Sequence, residues 1–323
     1  VEVKDMDLRK LLFPVLVLLL LLISVAGCAS ATARPIELVP QDANFVANIK
    51  LSQILSDPDF KNAYDQAKKS PDQPQTFDAA LDKVVQESGI DLRDFSEGLI
   101  FGDVTNLERA DYIGVIVEGS FNEATFIGNI EARAKEKFTT SDYKGYRVYT
   151  SDDGKFALAF LSERMLLLGS PRAVNDVIDV SKGERSRLSG QVLDTYDGLG
   201  DGLIKAAFKI PESARRGLGE QPAAGIPFSL KPFADTDLVG FVFNKQDEVI
   251  TIRIDAHFVS TTSAQDAKDT VSGAITLLKG MSQEPEVKEL LGAIQVTVSE
   301  SLLTVTLKTT LSQLEKLTES FQK

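Results

Sequence analysis

Along most of the chain the apolar positions switch between a period of two and a period near 3.6, which predicts strands alternating with amphipathic helices. Phe45, Ala47, Ile49 and Leu51 alternate with Val46, Asn48 and Lys50, predicting a first strand over 45–51. Asp57-Pro58 interrupts the pattern, 68–74 reads as a polar loop, and Leu81, Val84 and Val85 mark a helix that Gly89 ends.

A unit of apolar strands, a Ser or Thr helix cap and an amphipathic helix then recurs. The first copy has strands over 99–104 and 112–118, a Ser120/Glu123 capping box and a buried stripe of Phe126, Ile127 and Ile130. The second has strands over 146–150, 156–161 and 165–168. Ser170 is its cap, Pro171 its first helical residue, Val174, Val177 and Ile178 its apolar face, and Gly183 its end.

The third has strands over 238–243 and 249–259, in which Ile250, Ile252, Ile254, Ala256 and Phe258 alternate with Thr251, Arg253, Asp255 and His257. Its helix opens at Ser263 and Asp266 and carries Ala267, Val271, Ala274, Ile275 and Leu278. The fourth has a short helix over 285–291, strands over 294–298 and 302–307, and a Thr310/Gln313 cap before a helix carrying Leu311, Leu314, Leu317 and Phe321. Short links such as Ser151-Asp152-Asp153-Gly154 make the strand pairs antiparallel. The predicted fold class is α+β: mainly antiparallel sheets with helices packed on one face, and strand-strand-helix units repeated in two subdomains. The Asp- and Gly-rich stretch 194–202 reads as the break between subdomains 36–190 and 191–323.

The N-terminus follows another pattern. Lys4, Arg9 and Lys10 precede an apolar run over 11–23, shorter than the roughly 20 residues a membrane-spanning helix needs, and small residues follow it. This is the pattern of an export signal. The stretch Ile23-Ser24-Val25-Ala26-Gly27-Cys28-Ala29-Ser30 resembles the lipobox of bacterial lipoproteins. That resemblance implies a signal peptide over 1–27, lipidation of Cys28 after cleavage and a tether over 28–35. It also implies a body held at the cell membrane or outer membrane, facing the extracytoplasmic side. Two acyl chains suffice for stable anchoring, since each buried CH₂ contributes about 0.8 kcal/mol.

Composition narrows the chemistry. The 323 residues hold 35 Lys plus Arg against 47 Asp plus Glu, a formal charge of −12, and residues 1–27 contribute nothing to that balance. An acidic chain with no basic cluster is a poor nucleic-acid partner. It is also repelled by anionic headgroups, so attachment would depend on the lipid. One cysteine and one histidine exclude a disulfide framework and multi-cysteine zinc or iron-sulfur sites, and no cofactor is implied.

Short motifs resemble a family of exported bacterial proteins grouped as a domain of unknown function. They are Leu38-Val39-Pro40-Gln41-Asp42-Ala43, Glu118-Gly119-Ser120-Phe121, and Tyr143-Lys144-Gly145-Tyr146-Arg147-Val148-Tyr149 followed by Leu168-Gly169-Ser170. The resemblance spans mainly 36–185 and implies an exported, mainly antiparallel α+β body. It supplies no catalytic residues.

His257, Asp255 and Ser260 could be drawn as a triad, but they come from one local segment without a nucleophile-elbow sequence. The alternation reads instead as a solvent-facing polar row of Thr251, Arg253, Asp255 and His257. Asp194, Asp197 and Asp201 offer oxygens to calcium, but their spacing misses the EF-hand, and they read as a solvated turn. No phosphate-binding glycine loop is present. The stretch 217–237 is apolar yet broken by prolines, and Ile226, Phe228, Leu230 and Phe233 within it are candidates for contact with an apolar ligand.

The leading expectation is a non-enzymatic, lipid-anchored extracytoplasmic protein with a binding or interaction role at the envelope. Its partners would be the membrane, through Cys28, and a protein or apolar ligand. The alternative is a carrier of a lipid or other apolar molecule in a sheet-helix groove. A hydrolase or a calcium-dependent protein comes third.

Overall fold

The computed structural model describes residues 34–66, 73–88, 90–106, 111–134, 137–220 and 229–314. In chain order the elements are β1 (Phe45–Ile49), α1 (Leu51–Ser56), α2 (Pro58–Gln66), α3 (Phe77–Ser88), β2 (Glu97–Gly102), β3 (Ile113–Glu118), α4 (Glu123–Ala134), β4 (Phe138–Tyr143), β5 (Tyr146–Ser151), β6 (Ala157–Ser162), β7 (Met165–Gly169) and α5 (Pro171–Ser181). Then follow α6 (Gln191–Gly198), β8 (Ile204–Lys209), α7 (Glu212–Glu220), β9 (Thr236–Gln246), β10 (Val249–Phe258), α8 (Thr261–Met281), α9 (Pro285–Ala293), β11 (Ile294–Ser299) and β12 (Leu302–Thr310). The fold is α+β, built on antiparallel strands and strand-strand-helix units.

The chain divides into two compact units with the main break between Arg187 and Leu188. The second unit also takes in residues 41–49 and 101–111.

In the first unit the strand order is β2-β3-β7-β6-β5-β4. Its central strands are nearly continuous apolar runs, Ile113-Gly114-Val115-Ile116-Val117 and Met165-Leu166-Leu167-Leu168, because both faces are covered. On one face Val115, Val117, Leu158, Leu166 and Leu168 meet Phe95, Phe121, Phe126 and Ile127 in a single buried cluster. The alternate residues Ile116, Ala159 and Leu167 point the other way, where α5 packs through Ala173, Val174, Val177 and Ile178. The Ser170 cap forms as predicted, its hydroxyl accepting from Ala173 N, with Pro171 behind it. The β4–β5 turn places Lys144 and Gly145 at φ 53° and 84°, as a two-residue hairpin turn requires.

In the second unit the order is β11-β12-β10-β9-β8-β1. The register lines up whole rows of side chains. One row runs Phe45, Phe208, Val239, Ala256, Leu303 and Val298; the next runs Ala47, Ala206, Phe241, Ile254, Val305 and Val296. Both lie on the face where α8 packs with Ala264 and Ala267 on Ala256, Phe258 and Leu303.

The opposite face changes character along each row. Val46, Ala207 and Gly240 give way to Asp255, Thr304 and Thr297, and helix α6 covers the apolar half. Gly240 permits that approach: a Cβ there would lie 2.9 Å from Thr195 Cγ2 and 3.0 Å from a Leu199 methyl. Helices therefore pack on one face as expected, α3 and α4 in the first unit and α8 in the second. One further helix in each unit, α5 and α6, takes the other face.

Several local expectations are corrected. The Asp- and Gly-rich stretch opens with helix α6, whose Val192, Thr195 and Tyr196 are buried, because an i, i+3, i+4 stripe outweighs the turn-like composition. Helix α4 is capped by Asn122, whose Oδ1 accepts from Thr125 N, while Glu123 bonds Tyr149 and Arg147 instead of closing a box with Ser120. Helix α8 is capped by Ser260, three residues before the predicted Ser263. The first strand stops at Ile49, and Leu51 begins α1. Of the stretch 217–237, residues 221–228 lie outside the described residues, and the described ones form the end of α7, a 3₁₀ turn over Lys231–Asp235 and the start of β9. The Thr310/Gln313 box does form: Gln313 N donates to Thr310 Oγ1 at 3.2 Å and Thr310 N to Gln313 Oε1 at 3.1 Å.

Candidate functional site

Strand β10 carries the polar row to the middle of the second unit's sheet, and the structure corrects its expected exposure. Asp255 is only 4% exposed, whereas Ile254 on the opposite face is 39% exposed. The inversion arises because α6 covers part of the polar row's face, while α8 covers only part of the apolar one.

The buried carboxylate is well satisfied. Arg253 Nε donates to Asp255 Oδ1 at 2.9 Å, Arg253 Nη2 donates to Oδ2, and Thr304 Oγ1 donates to Oδ1 at 2.8 Å. Two residues along, His257 Nε2 lies 3.2 Å from Thr195 Oγ1 and ties the sheet to α6.

Together these groups form one side of a cleft of about 280 Å³. Its other side is a single stripe of α6, namely Gln191, Asp194, Thr195 and Gly198, and Leu238 and Leu302 complete the lining. Nothing in the sequence joins these walls, since Thr195 and His257 are 62 positions apart.

No relay is assembled around His257. The Ser260 hydroxyl accepts from Ser263 N at 3.0 Å and contacts Ser263 Oγ, so it is engaged in capping α8. Asp255 is engaged by Arg253 and Thr304, and the imidazole meets Thr195. Asp194 and Asp197 sit on α6, where Asp194 lines the cleft. Among the described residues no group of three or more His, Cys, Asp or Glu could hold a metal ion.

Of the residues predicted to contact lipid or ligand, Cys28, Ile226 and Phe228 lie outside the described residues. Leu230 is half-buried at the start of the 3₁₀ turn. Phe233 packs against the α8 cluster, its ring 6.4 Å from that of Phe258. Among the described residues no helix is long and apolar enough to cross a membrane.

Several carboxyl groups of the first unit have shifted pKa values, Asp91 and Asp153 downward and Asp94 and Glu118 upward. Burial at the end of β3 raises the pKa of Glu118, the negative charge of Glu97 raises it further, and Arg164 offsets part of the effect. A carboxyl whose folded pKa exceeds its unfolded value destabilises the fold once ionised. The penalty is absent below the ordinary value near 4.5 and grows as pH rises through the raised one. Glu118→Gln is therefore expected to raise the melting temperature at pH 7 and to leave it unchanged at about pH 4, as thermal scans across that range would show.

No protein-family profile and no curated protein match the chain. Solved structures of TP0453 in crystal forms I, III and IV match it with TM-scores of 0.47, 0.48 and 0.47 at 11%, 9% and 10% identity. The matches cover 90%, 90% and 89% of this chain and 98%, 100% and 97% of those chains, a likeness too distant to establish a shared role.

Proposed function

We propose that the chain is an exported bacterial lipoprotein, tethered through acylated Cys28, whose acidic α+β body has a non-enzymatic binding role at the cell envelope. The observation that carries this reading is the position of the sole cysteine, directly after a basic segment, an apolar run too short to span and a set of small residues. A binding role is supported by the cleft of the second unit, where polar groups converge while Ser260, Asp255 and His257 each have other partners. Growth with radiolabelled palmitate tests the tether. The parent chain is expected to take up label and Cys28→Ser to take up none; label retained by the variant overturns the proposal.

One observation favours the carrier as a second reading. The cross-strand row Ala47, Ala206, Phe241, Ile254, Val305 and Val296 is apolar throughout, and none of its members is buried among the described residues. Lipid released from the purified protein by organic solvent, and depleted by Ile254→Lys, would favour the carrier over the interaction protein.

A further inference from the structure

The cleft between α6 and β10 has a chemistry that selects among ligands. Its one cation, Arg253, is neutralised by Asp255 through two hydrogen bonds, and the remaining formal charge is the Asp194 carboxylate on the exposed side of α6. An anion would meet no uncompensated positive charge here, and it would approach a body of charge −12. A cation would find one exposed carboxylate, worth little in water.

The site instead offers donors and acceptors side by side. Arg253 Nη1 is left over from the Asp255 pair as a donor, Asp194 is an acceptor, Gln191 offers both, and Thr195 and His257, bonded to each other, keep the hydroxyl and Nδ1 capacity that their bond does not use. Neither Gln191 nor Asp194 has a side-chain hydrogen bond among the described residues, so both can engage a guest without breaking an existing contact. Leu238 and Leu302 add aliphatic surface. Vicinal hydroxyls on a ring with apolar C–H faces match this set, because each hydroxyl donates and accepts. The volume of about 280 Å³ lies just below the range of drug-sized pockets and suits a single ring.

We infer that this cleft binds a neutral monosaccharide unit, held by Gln191, Asp194, Thr195, Arg253 and His257. The inference rests on the reading of the body as a binding protein and is independent of its lipid tether.

Gly198 supplies a test that spares the fold. It lines the cleft at the last turn of α6, and a Cβ added there meets nothing within 4 Å. Gly198→Leu therefore fills the cleft while replacing a poor helix former with a good one. Saturation-transfer NMR on the full chain in detergent, with glucose, N-acetylglucosamine, inorganic phosphate and choline in parallel, reads the selectivity directly.

The expected result is transfer to one of the sugars and not to phosphate or choline. It should be weakened at least tenfold in Gly198→Leu and severalfold in Gln191→Ala, both with the parent's circular dichroism. Transfer to neither sugar, equal transfer in Gly198→Leu, or preference for phosphate or choline overturns the inference. Conversion of a bound sugar to a new species during the measurement would overturn the non-enzymatic reading instead and leave the binding site standing.

Discussion

Gly169→Ala is expected to cost the first unit about 4 kcal/mol, the sum of a strained backbone and an overpacked contact. Gly169 ends β7 at φ 143°, paired with Gly114 on one side and Ala157 on the other. A Cβ there would sit 2.2 Å from Ile113 O and 2.8 Å from Gly114 Cα. Both obstacles are backbone, and Ser170 N donates to that same Ile113 carbonyl at 2.9 Å, so relieving the clash means pulling β3 off β7 and loosening the start of α5. Gly145→Ala is the control. Gly145 also has a positive φ, 84°, but an added Cβ meets nothing within 4 Å, so only the backbone cost of about 1–2 kcal/mol applies. Denaturant titrations giving equal losses for the two variants would show that the close approach of β3 and β7 is not what fixes the glycine.

Arg253→Met should destabilise the second unit by about 3 kcal/mol, the low end of the range for breaking a buried ion pair. The variant leaves Asp255, 4% exposed, with Thr304 as its remaining side-chain donor. The low end applies because the Arg253 side chain is itself 34% exposed and water can enter in its place. The double variant Arg253→Met with Asp255→Leu should recover most of the loss, since removing both charges removes the desolvation cost along with the attraction. A double variant as unstable as the single one would mean that the methylene packing of Arg253, not its charge, holds β10 in place.

Much of the local structure was legible in the sequence. The caps at Ser170 and Thr310/Gln313, the turn at Ser151-Asp152-Asp153-Gly154 and the periods of β3, β7, β9 and β10 depend on residues only a few positions apart. Helix α6 was harder to read, because Asp194, Asp197 and Gly198 are turn residues by composition and only the burial of Val192, Thr195 and Tyr196 makes the segment helical. Strands β4 and β8 were not legible, because β4 is mostly polar and exposed and β8 has no clean apolar-polar alternation.

The candidate site divides in the same way. The polar row of β10 is written in the alternation of one strand, but its burial depends on what lies across from it. By itself, the sequence determined the class of the protein's elements, the export-type pattern at its N-terminus and its acidic balance, because each is a property of neighbouring residues or of their sum. Only the tertiary structure decided that β1 pairs with β8, that Asp255 is buried while Ile254 is exposed, and that a stripe of α6 faces Arg253 and His257 across a cleft. Those outcomes depend on which distant segments win the competition to cover each face of a sheet, a competition settled by packing the whole unit at once.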